Sequence, residues 1–328
     1  MRFPSRRFEI INAAAGGQNA TRVRAIVEQL VHYDPDAVLV MSGNNEGYVA
    51  ATTFNEPLYQ WVVYRALKKT LLREPELSER SYFSPQDPDT LKIERNFQNQ
   101  ITRMVELCRK SNVRPIVATL PINLRYDNTG VDTNGVPLPV PTDDPFLIAG
   151  DRLRVAGDCE NALADYSQSR HTAAAAFRMA RCLEELERFD EARSFYKVYV
   201  QNNPLNRIRP SFNEFIRTFA AARNITLIDL ERALERRSEH GLPSLNLFHD
   251  YCHMTWRGYR MVAEEIVDVL IEQRIVTGRF REPLPRPTTE EIIRRQGWDV
   301  LLQLGDRYPF VASEKTADGS TLMAPLHD

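Results

Sequence analysis

The feature that most restricts the fold is a strand–helix–strand period in residues 8–41. Residues 8–14 are a short apolar run, read as a buried strand, and Ala15-Gly16-Gly17-Gln18-Asn19 follows as a turn. Val23, Ile26, Val27, Leu30 and Val31 then recur at helical spacing until Asp34-Pro35-Asp36 stops them. Ala37-Val38-Leu39-Val40-Met41 reads as a second buried strand. Two strands joined through a helix form a parallel pair with a right-handed crossover. Open parallel sheets bind ligands beyond the carboxyl ends of their strands. The turn holding Gly17 and the turn holding Asn45 both fall on that edge.

The rest of the chain extends this pattern and interrupts it once. Residues 56–74 read as a helix, 75–90 as loop, 91–110 as a helix and 115–120 as a third strand, ending at Asn123-Leu124-Arg125. Residues 126–145 are rich in proline and glycine and read as loop. A helix over 212–224, a strand over 225–230 and a short helix over 231–238 resume the α/β pattern, and 277–328 is an extension with a helix over 290–304. In between, residues 146–204 change character. Gly150, Leu153, Ala162 and Tyr166 align with Ala180, Leu183, Ala192 and Tyr196 at a 30-residue offset, and Pro204 closes the second copy. Small residues at a helix crossing, a bulky one beneath and a closing proline make a tetratricopeptide-like pattern, and an unrelated helical hairpin is the plainer alternative.

Asp250 and His253 stand three residues apart, just before Tyr259, Val262, Ala263, Ile266, Val269 and Leu270 mark a helix that starts near Thr255. A carboxylate so placed holds an imidazole in one tautomer and leaves its other nitrogen to take a proton. The net charge of −2 offers nothing to nucleic acid. The four cysteines are scattered without a Cys-x-x-Cys pair, so neither a structural zinc site nor a disulfide scaffold is expected. No metal or cofactor is expected. No run is long and apolar enough to span a membrane, and Met1 to Arg7 leads straight into the first predicted strand without a signal peptide. The compartment is left open, because an export signal or anchor could be encoded ahead of Met1.

Three blocks stand in one order: residues 12–17, then Gly43-Asn44-Asn45-Glu46, then Asp250-Tyr251-Cys252-His253 before a helix. This order resembles the SGNH (GDSL-type) hydrolases, and more closely their subgroup with an inserted tetratricopeptide repeat. That subgroup tends to carry Asn-Leu-Arg after the next strand, here Asn123-Leu124-Arg125. It also carries an Arg-x-Arg-x-Pro-Ser-x-x-Asn-like stretch, here Arg207-Ile208-Arg209-Pro210-Ser211-Phe212-Asn213 behind Asn206. The resemblance implies a flavodoxin-like three-layer α/β/α sandwich over 1–125 and 205–276, an all-α insert over 146–204, and a carboxy-terminal extension over 277–328. It implies ester hydrolysis with Asp250 and His253 as the orienting carboxylate and the base. Gly17 and Asn45 then supply the oxyanion hole through a backbone N–H and a side-chain amide. Each also has a plainer reading, Gly17 as a turn residue and Asn45 as a cap. Asn123, Arg125, Arg207 and Arg209 are candidates to bind an anionic or polyhydroxylated substrate, with surface salt bridges the alternative for the arginines. The implied substrate is a small-molecule, carbohydrate or lipid ester, and the insert could also take a protein partner.

One part of the resemblance is absent. The family's nucleophile is a serine in a Gly-Asp-Ser-like turn a few dozen residues before the glycine matched to Gly17, and no Gly-x-Ser precedes Gly17 here. Ser5 is too close to the strand at Phe8, and Ser42 is expected to point into the sheet. Two explanations stand: the nucleophile is encoded upstream of Met1, which is favoured, or the protein is catalytically inactive and acts as an interaction module through its insert. Without the family's first, central strand, the runs at Phe8 and Ala37 are expected to be adjacent or separated by an unfilled slot.

Overall fold

The computed structural model describes residues 8–46, 88–126, 144–202 and 207–277. The helices expected over 56–74 and 290–304, most of both proline-rich loops, Ser5 and Asn206 lie outside them. The chain divides into two compact units, Ala14–His253 and Met1–Ala13 with Met254–Asp328.

In the larger unit, helix α1 (Ala20–Leu30) starts on Asn19, whose side chain accepts the Arg22 N–H, and leads to strand β1 (Ala37–Val40). Helix α2 (Pro88–Lys110) begins at Pro88 rather than the expected Leu91 and leads to strand β2 (Arg114–Ala118). Helix α7 (Pro210–Arg223) ends on Asn224 in the left-handed conformation and leads to strand β3 (Thr226–Ile228), followed by helix α8 (Leu230–Arg237). The strands form one parallel sheet in the order β1-β2-β3, with Val40 opposite Val117 and Ala118 opposite Ile228. The protein is thus a mixed α/β structure with a small parallel sheet and many helices. Val38 and Val40 join Val27 of α1, Met104 and Val105 of α2, and Ile216 and Phe219 of α7 in one core. Each such side chain contributes roughly 1.5–3 kcal/mol by leaving water.

The run at 8–14 is a correction. It forms no strand, and Phe8 and Ile10 are 52% and 88% exposed. A strand needs a neighbour to complete its ladder, and among the described strands β1 pairs on its β2 side alone. The expectation that the runs at Phe8 and Ala37 lie adjacent or flank an unfilled slot presupposes that strand and falls with it. Leu39 and Met41, on the face of β1 opposite the core, are 39% and 38% exposed.

Among the described residues between β2 and α7 stand four helices: α3 (Pro145–Val155), α4 (Cys159–Ser167), α5 (Thr172–Glu185) and α6 (Phe189–Asn202). Of the residues aligned by the internal repeat, Leu153 is partly buried and the others are buried, with Ala162, Tyr166, Ala180, Leu183, Ala192 and Tyr196 all essentially inaccessible. Gly150 shows why a small residue is needed: a Cβ there would lie 2.5 Å from the Tyr166 ring. These helices are tied to the α/β part by Lys197, which pairs with Glu231 at 3.2 Å and with Glu235 at 2.6 Å.

The end of β2 is gripped by one side chain. Asn213 of α7 accepts the Leu120 N–H and donates to the Leu120 carbonyl, both at 2.9 Å, and donates to Glu231 at 2.9 Å. Arg217 completes the cluster by bridging Asp229 and Glu231.

The described part of the smaller unit is dominated by helix α9 (Trp256–Glu272), capped by Thr255, whose hydroxyl accepts the Gly258 N–H. Its start agrees with the expected one. Its apolar stripe is less buried than expected: Val262 is buried, but Tyr259 is half exposed. Among the described residues, no helix is long and apolar enough to cross a membrane.

Candidate active site

Asp250 and His253 meet because the intervening backbone folds back on the carboxylate. Asp250 Oδ1 accepts the N–H groups of Cys252 and His253, both at 2.8 Å, and Oδ2 lies 2.6 Å from His253 Nδ1. The His249 N–H donates to the His253 carbonyl at 2.8 Å and closes the loop. Burial raises the affinity of the Asp250 carboxyl for its proton. The two amides and the imidazole outweigh that effect and leave its pKa below the usual carboxylate value. The carboxylate is therefore charged at neutral pH and fixes the imidazole with Nδ1 protonated. The His253 side chain is 67% exposed, so the ring is outside the core.

The second cluster surrounds the loop after β1. Asn45 Nδ2 donates to the Gln18 carbonyl at 3.3 Å, which joins the Asn45 loop to the Gly16-Gly17 turn. Gly17 has φ +69°, with nothing near the place of a Cβ, so it serves backbone conformation rather than a close approach. Glu46, buried beside Asn45, accepts the Ala20 N–H of α1 at 2.7 Å, and burial pushes its carboxyl up to about 7. Asn44 accepts the Ile208 N–H at 2.8 Å. Gly43 permits that approach, since a Cβ there would stand 2.6 Å from Ile208 Cδ1.

Two hydrogen bonds run from the neighbour of Ile208 to the Asp250 loop. Arg207, next to Ile208, donates through Nη1 to the Asn123 carbonyl at 3.2 Å. Asn123, fully buried, donates through Nδ2 to the Asp250 carbonyl at 2.7 Å. Asn123 is thus hydrogen-bonded to both Arg207 and Asp250, and the Asn44–Ile208 contact lies one residue further along the chain. The two remaining arginines stand apart. Arg125 pairs with Glu184 of α5, and Arg209 is buried in the field of Glu94. Neither Arg207 nor Arg209 is a surface ion-pair residue. Ser42 is buried with its hydroxyl closed to solvent, which makes it unsuited to attack a substrate.

Asn44, Glu46 and Asn213 received no role from sequence reasoning, although all lie inside motifs it quoted. The metal question turns on Asp250, Cys252 and His253, whose donor atoms lie within 4.8 Å of one another. Burial, reinforced by Asp250, pushes the Cys252 thiol up to about 12, and Nδ1 of His253 is engaged by Asp250. A protonated thiol and an occupied imidazole nitrogen make a poor ligand set.

No family profile and no curated protein matches this chain. Among solved structures it is similar to a "putative acylhydrolase" from Bacteroides fragilis, with 14% identity over 79% of this chain and 72% of that one, at a TM-score of 0.36.

Proposed function

We propose that the protein is an ester hydrolase of the SGNH (GDSL) type. The single observation that carries this reading is the Asp250–His253 contact, with its exposed ring. The proposed layout is a hydrolase domain over 1–125 and 205–276, a tetratricopeptide-like insert over 146–204 acting as a wall beside the site, and an extension over 277–328. Tyr199 of α6 supports the wall, since its hydroxyl donates to the Tyr126 carbonyl at 3.1 Å and Arg207 lies over its ring.

In this mechanism a serine hydroxyl attacks the ester carbonyl, and Nε2 of His253 takes its proton. The oxyanion accepts from the Gly17 N–H and from the Asn45 amide, which has a second hydrogen beyond the one given to Gln18. Collapse expels the alcohol, which takes the proton back from His253. Water, activated by the same nitrogen, then releases the acid and restores the serine. Asp250 stabilises the imidazolium in both halves. The serine is proposed to be encoded ahead of Met1. Among the described strands β1 is paired on its β2 side alone, and a parallel strand on its other side would complete the ladder, which supports that placement.

The test compares this chain with one extended by the codons upstream, each assayed on p-nitrophenyl butyrate. Activity is expected in the extended chain, with His253→Ala reducing turnover on the order of 10⁴-fold or more. Inactivity of both chains, or full activity of the His253→Ala variant, sinks the reading.

A further inference from the structure

A guanidinium keeps its charge at any physiological pH, so a buried one needs an anion or a full set of acceptors. Arg207 has neither. It is 4% exposed, and among the described residues it forms no salt bridge. Nη1 donates to Asn123, and the Cζ atom stands 5.1 Å from the centroid of the Tyr199 ring. Nε and Nη2 have no hydrogen-bond partner. The groups that feel its charge are Tyr199, whose hydroxyl also favours the cation through a side-chain hydrogen bond, Tyr126, Tyr251 and Cys252, and none of them is an anion at neutral pH. Burial pushes both Tyr251 and Cys252 up to about 12, which keeps them neutral.

The two unpartnered nitrogens are a particular pair. The Nε–H and an Nη2–H lie side by side on one edge of the guanidinium plane. That edge matches two oxygens of a carboxylate or a phosphate, one hydrogen bond to each. Its other end is anchored on Asn123 and its flat face on Tyr199, so the fork is held in a fixed direction.

We propose that the Nε/Nη2 edge of Arg207 binds a two-oxygen anion, a carboxylate or phosphate group, carried by the ligand of the Asp250–His253 site. The proposal rests on the hydrolase reading for the ligand's ester bond, and makes the substrate class an ester with an anionic group. Asn123 joins the two functions, since it receives Arg207 and holds the Asp250 carbonyl. Its Oδ1 is buried and unpartnered too. As an acceptor it would repel an anionic oxygen, so it suits a hydroxyl beside the charged group. Both fork nitrogens are closed to solvent, so occupancy requires the side chains against them to move.

Binding is tested on the full chain without reference to hydrolysis. Inorganic phosphate and sodium acetate are titrated at constant ionic strength against sodium chloride, followed by thermal unfolding and calorimetry. A saturable rise in Tm with one-to-one binding is expected for at least one of the two anions. Arg207→Met should abolish it, and Arg207→Lys should weaken it about tenfold or more, because an ammonium lacks the fork. Arg152→Gln, which removes an exposed charge, should leave it intact. No response beyond chloride, or a response that survives Arg207→Met, overturns the proposal. So does a large fall in the Tm of both Arg207 variants in anion-free buffer, which would mark a structural arginine.

A second arm uses the upstream-extended chain on p-nitrophenyl butyrate and on the p-nitrophenyl half-ester of succinate. Preference in kcat/KM for the charged ester, lost in Arg207→Lys, is expected if the carboxylate is the natural group; binding of phosphate alone, with no such preference, assigns the site to a phosphate-bearing ester. Equal hydrolysis of both esters with neither anion bound overturns the proposal. Hydrolysis of neither ester refutes the hydrolase reading, while the titration still decides the anion site.

Discussion

Replacing Asn213 by leucine should remove the grip on the end of β2 with little change in volume. The parent side chain accepts from Leu120 N–H, donates to the Leu120 carbonyl and donates to Glu231, each at 2.9 Å. Its loss leaves a buried N–H without a partner, at about 1–3 kcal/mol. The carbonyl and Glu231 each lose one bond, at about 1 kcal/mol apiece, because Glu231 keeps Arg217 and Lys197. The expected destabilisation is therefore about 3–5 kcal/mol, read as a lowered urea midpoint with an unchanged slope. Asn213→Asp is the sharper companion. It keeps the acceptor for Leu120 N–H but aims a second oxygen at a carbonyl and at the Glu231 carboxylate. Those neighbours and the burial raise the new carboxyl's pKa, so the variant should lose stability as pH rises and recover it in acid. A loss below about 1 kcal/mol for Asn213→Leu, or no pH dependence for Asn213→Asp, would refute the view that this residue anchors the strand end.

Two further perturbations read other parts of the structure. Glu46 has a folded pKa of about 7, above its ordinary value of 4.5, so the native state holds the proton more tightly and stability should fall as pH rises from 4.5 to 7. Glu46→Gln should remove that fall, worth roughly 1.4 kcal/mol per pKa unit, as measured by urea unfolding at pH 4.5 and 8; a parent-like slope in the variant contradicts the assignment. Gly150→Ala should destabilise despite a gain of roughly 1 kcal/mol in helix propensity, because its Cβ would meet the Tyr166 ring at 2.5 Å and overpacking costs about 1–3 kcal/mol. A Tm above the parent's would show that α3 and α4 can separate freely at that crossing.

The helices were legible because each carries its own signal. Asn19 before α1, Thr255 before α9 and the apolar spacing within α2 are local, and the observed ends differ from the expected ones by a few residues at most. Strands are another matter. The runs at 8–14 and 37–41 are both short and apolar, yet only the second is a strand. Apolar composition says that a segment could be buried in a sheet, whereas pairing depends on a neighbour that the segment does not encode. The helical character of 146–204 was legible because its signals are local. Tyr166 and Tyr196, thirty positions apart, are both fully buried, Tyr166 against Gly150 and Tyr196 against Phe177.

The site divides along the same line. Asp250 and His253 could be paired in advance, since three residues of a turn bring a carboxylate to an imidazole without help from elsewhere. The contacts that join this dyad to the Asn45 loop span 27, 164 and 127 positions, from Asn45 to Gln18, Asn44 to Ile208 and Asn123 to Asp250. No periodicity reports them. They give Asn44, Arg207 and Asn123 positions in the fold that their local sequence does not announce. Asn44 sets the backbone of Ile208, Arg207 is thereby set against Asn123, and Asn123 holds the carbonyl of Asp250. Motif residues of this kind act on one another's backbone, so their chemistry is invisible until the chain is folded. A charge such as Arg207, surrounded by neutral groups, is then where the structure asks for something more than its own chain supplies.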